Sequence, residues 1–276
     1  MAADLEVPSP FGLPIVPDGS ISTDTYDAML RACTRGDLGN VNKMIKEHGD
    51  NLLYRTSLDD GRSWLFVACM NGNMDIVRYL LDVGGIKLVG IMAHDGSSCL
   101  HAACFQGNLT VAKALLEVGG VDLLRISTSR GHTPFLAACQ EGHLAIVKML
   151  LLVCGEELLS NKTVEGRTCM HAAVENNRVN VLKFLLSIKT SHSMIDSVTS
   201  SGSSCLHAAS FCGNLNMVKI LLAAGAQLHL TTPAGHTCLI LAASFGRVDV
   251  VRYIRLIPTL CGVLSSVGTH RKMILG

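Results

Sequence analysis

The sequence is poor in charge and poorer still in aromatic rings: 16% of its 276 residues are charged and 4% are Phe, Trp or Tyr. With Lys+Arg 23 against Asp+Glu 22, a net charge of +1 leaves no basic footprint for a general nucleic-acid binder, so no nucleic-acid partner is expected. Long apolar runs are also missing. Stretches such as Leu144–Cys154 fall short of the ~18 residues that cross a bilayer, and no membrane partner is expected. The N-terminal residues show no basic region followed by an apolar run, which argues against a secretory signal. No Cys-x-x-Cys pair occurs among the 11 cysteines, an odd number in a chain too long to need disulfide staples. A reducing compartment, cytoplasmic or nuclear, is therefore expected, and the sequons at Asn108 and Asn161 are read as chance. There is no G-x-G-x-x-G opening a helix, no P-loop, no H-E-x-x-H and no G-x-S-x-G, so neither an enzyme nor a cofactor is expected. What is abundant is apolar: 49% of the residues, with 26 glycines, which excludes a disordered chain.

That apolar content is organised as a repeat. GSSCLHAA from Gly96 recurs as GHTPFLAA from Gly131, GRTCMHAA from Gly166 and GSSCLHAA from Gly202. Weaker copies begin at Gly61 and Gly235, and a diverged one at Thr25, giving separations of 36, 35, 35, 35, 36 and 33 residues. Eleven positions after each start stands Gly36, Gly72, Gly107, Gly142, Asn177, Gly213 or Gly246, as a helix end with positive φ requires. Two positions after each start stands Asp27, Ser63, Ser98, Thr133, Thr168, Ser204 or Thr237, each able to cap a helix N-terminus. A short first helix is thus predicted in every unit. A second follows, with an apolar stripe such as Leu144, Ile146, Val147, Leu150 and Leu151, and a stop at glycines such as Gly84, Gly119 and Gly225. In the sixth unit Leu215, Val218 and Leu222 are expected in the core. Neither helix is long enough to stand alone, so the units must stack.

The pattern resembles the ankyrin repeat, over about seven units within residues 21–257. The resemblance implies an all-α solenoid of stacked helix-turn-helix units with projecting hairpin loops. It departs from the family motif where proline survives only at Pro134, and where extra connector length, as in 155–165, predicts irregular hairpins. Residues 1–20, rich in proline, are expected to be a flexible arm and 258–276 a divergent tail that matches no further unit. The last unit carries Val250, Val251, Ile254 and Ile257 without a polar cap, so a labile end is expected unless 259–276 cover it.

Cys99, Cys169, Cys205 and Cys238 share one repeat position, with His101, His171 and His207 two residues after the first three. Zinc needs four ligands at one point, whereas these lie a repeat apart, so no metal site is expected. The cysteines are read as small core residues and the histidines as locks between adjacent loops. Arg78, Lys113, Lys148, Lys183, Lys219 and Arg252 form a basic row read as the solvated stripe of the second helices.

Function follows from the resemblance. It implies a non-catalytic, monomeric scaffold that binds a protein partner through its concave face. Two other classes stay open: the regulatory or targeting array of a larger enzyme, ubiquitin-ligase adaptor or channel, and a purely structural spacer. Contacts in the family cluster around the start glycine and before the second one. Carried over, these positions are Asp59, Asp60, Arg62, Met70, Asn71, His94, Asp95, Phe105, Gln106, Arg130, His132, Gln140 and Glu141, then Glu165, Arg167, Glu175, Asn176, Phe211, His236 and Phe245. Phe105, Phe211 and Phe245 are the expected hot spots, with ring packing between neighbouring loops as the alternative.

Overall fold

The computed structural model describes residues 22–257; the expected arm at 1–20 and tail at 258–276 lie outside the described residues. Two compact units result, divided between Val164 and Glu165. The first holds α1 (Thr23–Arg35) and α2 (Leu38–His48), a short α3 (Asp50–Leu53), then the pairs α4 (Trp64–Asn71) with α5 (Met74–Val89), α6 (Cys99–Gln106) with α7 (Leu109–Gly119), and α8 (Pro134–Glu141) with α9 (Leu144–Cys154). The second holds α10 (Cys169–Glu175) with α11 (Val179–Leu186), α12 (Cys205–Cys212) with α13 (Leu215–Ala223), and α14 (Cys238–Ser244) with α15 (Val248–Arg255). Among the described residues there are isolated antiparallel bridges, such as Thr56–Ser63, but no strand. Each unit is all-α.

The first helix of each pair begins where a hydroxyl is available to cap it. Ser63, Ser98, Thr133, Thr168, Ser204 and Thr237 each accept a backbone N–H from three residues ahead. The first pair differs from expectation. Asp27 lies inside α1, which starts earlier because Ser22 caps it by accepting from the N–H of Thr25. At the far end of these helices the backbone turns left-handed. Asn177, at φ 55°, is the one non-glycine among the described residues with positive φ, and it stands where the other pairs have glycine.

Burial follows a stripe. In α13 the buried residues are Met217, Val218 and Leu221, and the same register buries Ile146, Val147 and Leu150 in α9. Leu215 and Leu222, expected in the core, are only half-buried, because they flank the stripe rather than lie on it.

The connectors of the first unit correct the sequence reading most. α7 ends at Gly119 as expected, but α5 does not stop at Gly84; both glycines are helical and buried, and the positive φ falls on Gly85 and Gly120. After each such turn the chain makes another short helical segment: α3, the end of α5, and 3-10 turns at Val121–Leu124 and Glu156–Ser160. These place Leu52 and Leu53, Leu88 and Val89, Leu123 and Leu124, and Leu158 and Leu159 in the core. The paired glycines have separate roles. A Cβ on Gly84 would lie 2.8 Å from Cβ of Leu88, and one on Gly119 would collide with Leu123, so the first glycine makes room and the second reverses the chain.

Short hairpins follow and are linked to one another by backbone. In the first unit the N–H groups of His94, Ser129 and Val164 donate to the carbonyls of Asp60, Asp95 and Arg130 at 2.8, 2.8 and 2.9 Å. In the second, Ser200 donates to Glu165 at 2.8 Å. Pro233 occupies the next donor position and has no N–H to continue the series.

The stripe makes a sharp contrast testable. Leu221→Ala should cost ~2–5 kcal/mol, the range for a fully buried leucine, and Leu222→Ala distinctly less. Urea unfolding of both variants checks this; equal losses would show the register of α13 to be misassigned.

Candidate functional site

The sequence-predicted positions gather on the hairpin tips and the last turns of the first, inner helices. In the first unit Asp60 accepts the N–H of Arg62 at 3.2 Å and pairs with its guanidinium at 3.1 Å. That guanidinium also lies 5.1 Å from the centroid of the Phe66 ring. Asp95 folds its tip in the same way, accepting from the N–H of Ser97 at 2.8 Å. Asp59, His94, Gln106 and Arg130 are exposed, as is Asn71, and Met70 is half-buried. His132 reaches across eight residues to Gln140 at 3.2 Å, and Gln140 donates to Glu141 at 3.0 Å.

In the second unit the same cross-link is ionic. Arg167 pairs with Glu165 at 3.2 Å and with Glu175 at 2.9 Å, so three predicted residues form one cluster. Partial burial raises the Glu175 carboxyl above its ordinary range; Arg167 pulls the other way, and the Glu165 charge adds to the rise. Asn176 and His236 are exposed. Phe211 and Phe245 pack edge to face with centroids 4.4 Å apart, yet remain 44% and 50% exposed. Phe105 is 43% exposed and, among the described residues, has no ring partner. Of the two readings of these rings, mutual packing thus applies to Phe211 and Phe245 and leaves Phe105 separate.

Beneath this surface lie side chains that position it. Asn73, Asn108 and His143 donate to the carbonyls of Cys33, Cys69 and Phe105 at 2.6, 3.0 and 2.9 Å; Arg247 donates to that of Phe211 at 2.9 Å. Each meets an end carbonyl that the inner helix cannot satisfy itself. The histidines also act across pairs. The N–H of Ser98 donates to Nδ1 of His101 at 3.1 Å, so the ring proton sits on Nε2 and is donated to the carbonyl of His132 at 2.9 Å. His171 and His207 repeat the arrangement toward the carbonyls of Ser203 and His236. Burial drives the His101 imidazole down to about 4 and lowers those of His132 and His207. These rings are neutral hydrogen-bond connectors.

The sequence reading misses a second cysteine series, although its spacing is there to find. Cys33, Cys69, Cys104 and Cys139 recur every 35 or 36 residues near the ends of the inner helices, all buried. Burial pushes the thiols of Cys33, Cys99 and Cys169 up to about 12, so they are protonated and inert near neutrality. Among the described residues no three His, Cys, Asp or Glu side chains come together as a metal site. The basic row from Arg78 to Arg252 is exposed along the outer helices, and Lys219 lies 5.3 Å from the centroid of the Tyr253 ring. No described helix is long and apolar enough to cross a membrane.

A family model for ankyrin repeats matches the chain in three copies, over residues 29–127, 120–193 and 188–257. No curated protein matches it.

The neutral histidines set an acid limit. His101 falls from an ordinary 6.5 to about 4 on folding, so between those values the unfolded chain binds the extra proton. Stability is therefore complete above about pH 6.5 and falls as the pH drops toward about 4, with His132 and His207 adding in the same direction. Urea midpoints measured from about pH 7.5 to about pH 5 should decline, and less steeply in His101→Gln. A flat profile over that range would contradict the assignment.

Proposed function

The chain belongs to the ankyrin-repeat family, and on that premise we propose that it is a non-catalytic scaffold that captures a protein partner on its hairpin tips and inner-helix ends. Ankyrin repeats are generally modules for protein–protein interaction. The observation that carries the reading here is the aromatic pair of the second unit. Phe211 and Phe245 already touch at 4.4 Å, yet about half of each ring is open to solvent. An apolar partner side chain seated against them would remove that surface from water without ordering a flexible side chain first.

Polar neighbours supply the rim such an anchor needs. The Glu165–Arg167–Glu175 cluster holds two carboxylates around one guanidinium, a local excess of negative charge that favours a basic residue beside the apolar anchor. In the first unit Phe105 would serve as a separate anchor, with the exposed Asp95 and Arg130 tips as its selective contacts. The non-catalytic part of the proposal draws on the chemistry of the interior. Its thiols are protonated, and both nitrogens of His101, His171 and His207 are engaged in structural bonds. A reducing compartment, cytoplasm or nucleus, fits described cysteines that are all free.

The test separates binding from folding. Wild-type protein is used to capture partners from cell extract, and the interaction is then measured by calorimetry with purified components. Phe105→Ala should weaken binding by about 1–3 kcal/mol with little change in the unfolding midpoint. Phe211→Ala should weaken it similarly and also lose ~0.5–1.5 kcal/mol of stability from the broken ring pair. Unchanged affinity in both variants would remove these rings from the binding surface.

A further inference from the structure

The outer helices of the first unit carry a row of apolar side chains that the fold leaves uncovered. Val83, Val118 and Val153 stand at one repeat position on α5, α7 and α9 and are 46%, 39% and 46% exposed. Leu152, beside the last of them, is 87% exposed, and Ile86 and Val121 stand exposed just across the glycine turns that follow the first two. The row is a property of these three helices. At the same position α2 has the charged Glu47, and in the second unit Ile188, Ala224 and Ile257 are half-buried. One exposed valine is ordinary. Because α5 packs on α7 and α7 on α9, valines in register make a continuous strip. A groove between α5 and α7 opens onto it, with Met74, Leu81, Ala114 and Val118 as its apolar lining.

Carboxylates flank the strip in the chain. Asp82 and Glu117 immediately precede Val83 and Val118, and Asp122, Glu156 and Glu157 follow within a few residues of Val118 and Val153. Asp82 and Glu117 are exposed and enter no ion pair among the described residues, although Arg78 and Lys113 stand four positions before them. Of the nearby bases, Arg125 is held between Asp122 and Glu157 at 3.4 Å each, which leaves Lys87; Arg78, Lys113 and Lys148 stand a turn farther from the valines. We propose that this strip docks an amphipathic helix of a partner protein whose apolar stripe is bordered by lysine or arginine. Spacing selects a helix. Packed helices lie about 8–10 Å apart, so successive valines recur at that interval, and seven residues of a partner helix rise about 10.5 Å. Same-face residues of a strand recur at about 6.7 Å and would lose register. Spanning three valines takes about four turns of helix. Charge selects the borders, because bases on the partner would meet the unpaired carboxylates. A lipid surface, whose head groups are neutral or anionic, would meet repulsion from them. A second copy docked about a two-fold axis through the strip would set the same carboxylates against their own kind.

The probe is a fluorescein-labelled peptide of about 18 residues, with leucine at i, i+3, i+4 and i+7 and lysine elsewhere, and a counterpart with glutamate for every lysine. Binding to the full chain is read by fluorescence anisotropy at about 0.15 M salt. The lysine peptide should bind about tenfold tighter than the glutamate peptide. Leu152→Ser with Val153→Ser should weaken the lysine peptide about tenfold. Asp82→Lys with Glu117→Lys should weaken it as much and shift preference toward the glutamate peptide. All four side chains are exposed, so neither double variant should move the urea midpoint appreciably. Phe105→Ala and Phe211→Ala should leave peptide binding unchanged, which separates this strip from the surface proposed above. No binding of the lysine peptide below about 1 mM, or binding that both double variants leave intact, would overturn the proposal. So would a wild-type dimer in sedimentation that Leu152→Ser makes monomeric, assigning the strip to a second copy, or co-sedimentation with phosphatidylserine vesicles that the same change abolishes, assigning it to a membrane.

Discussion

Everything in this fold depends on the fact that an inner helix of about eight residues cannot exist alone. Two turns of helix satisfy too few of their own hydrogen bonds to offset the entropy of ordering them. Burial against the neighbouring pair has to provide the difference. Small residues make that approach close: the inner helices are built on Ala68, Ala103, Ala138, Ala173, Ala209 and Ala242, all at or near complete burial. Bulk enters at a few inner positions, Trp64, Phe135 and Met29 among them, and along the outer stripe and the aliphatic pairs that follow it.

Polar groups in such a core must be satisfied across the repeat boundary, and three kinds of bond do this. Backbone links hairpin to hairpin, side chains at Asn73, Asn108, His143 and Arg247 close the ends of inner helices, and the histidines bridge from a helix start to the next loop. Two of these depend on side-chain chemistry, and Pro233 interrupts the third. The same bonds hold the exposed tips in place. In the proposed binding surface, the carbonyls of Asp60, Asp95, Arg130 and Phe105 are each occupied from the next pair, which holds these positions in place.

How much of this could be read in the chain depended on whether the signal was local. Caps such as Ser98 and turn residues such as Asn177 act within a few positions, and both ends of the inner helices were legible from them. Asp27 misled because Ser22 supplied an earlier cap outside the repeat pattern. The doubled glycines were visible as Gly84–Gly85 and Gly119–Gly120. Assigning separate roles to them required the leucine that packs back on the first, and that contact appears only in three dimensions. The Phe211–Phe245 contact was hidden for a similar reason: the two rings occupy different positions in their repeats, so no in-register comparison pairs them. As for the predicted contact residues, their place on tips and helix ends follows from the repeat, while the ionic cluster around Arg167 depended on side-chain reach.

One regularity of the interior has a consequence for how the protein ages. Each inner helix encloses at least one thiol: Cys33, Cys69, Cys104, Cys139, Cys169, Cys205 and Cys238 in turn. While the pairs are closed, these sulfurs are shielded, and burial raises the thiols of Cys33, Cys169 and Cys238 so that they stay protonated. When a pair opens, its thiol meets solvent and whatever electrophile or oxidant is present. A sulfur that has gained an adduct no longer fits the space it left, so the pair stays open until the adduct is removed, and oxidation to sulfinic or sulfonic acid makes the opening permanent. Each helix pair thus carries its own fuse, and the working life of the molecule is set by the least stable pair and by the redox chemistry of its surroundings.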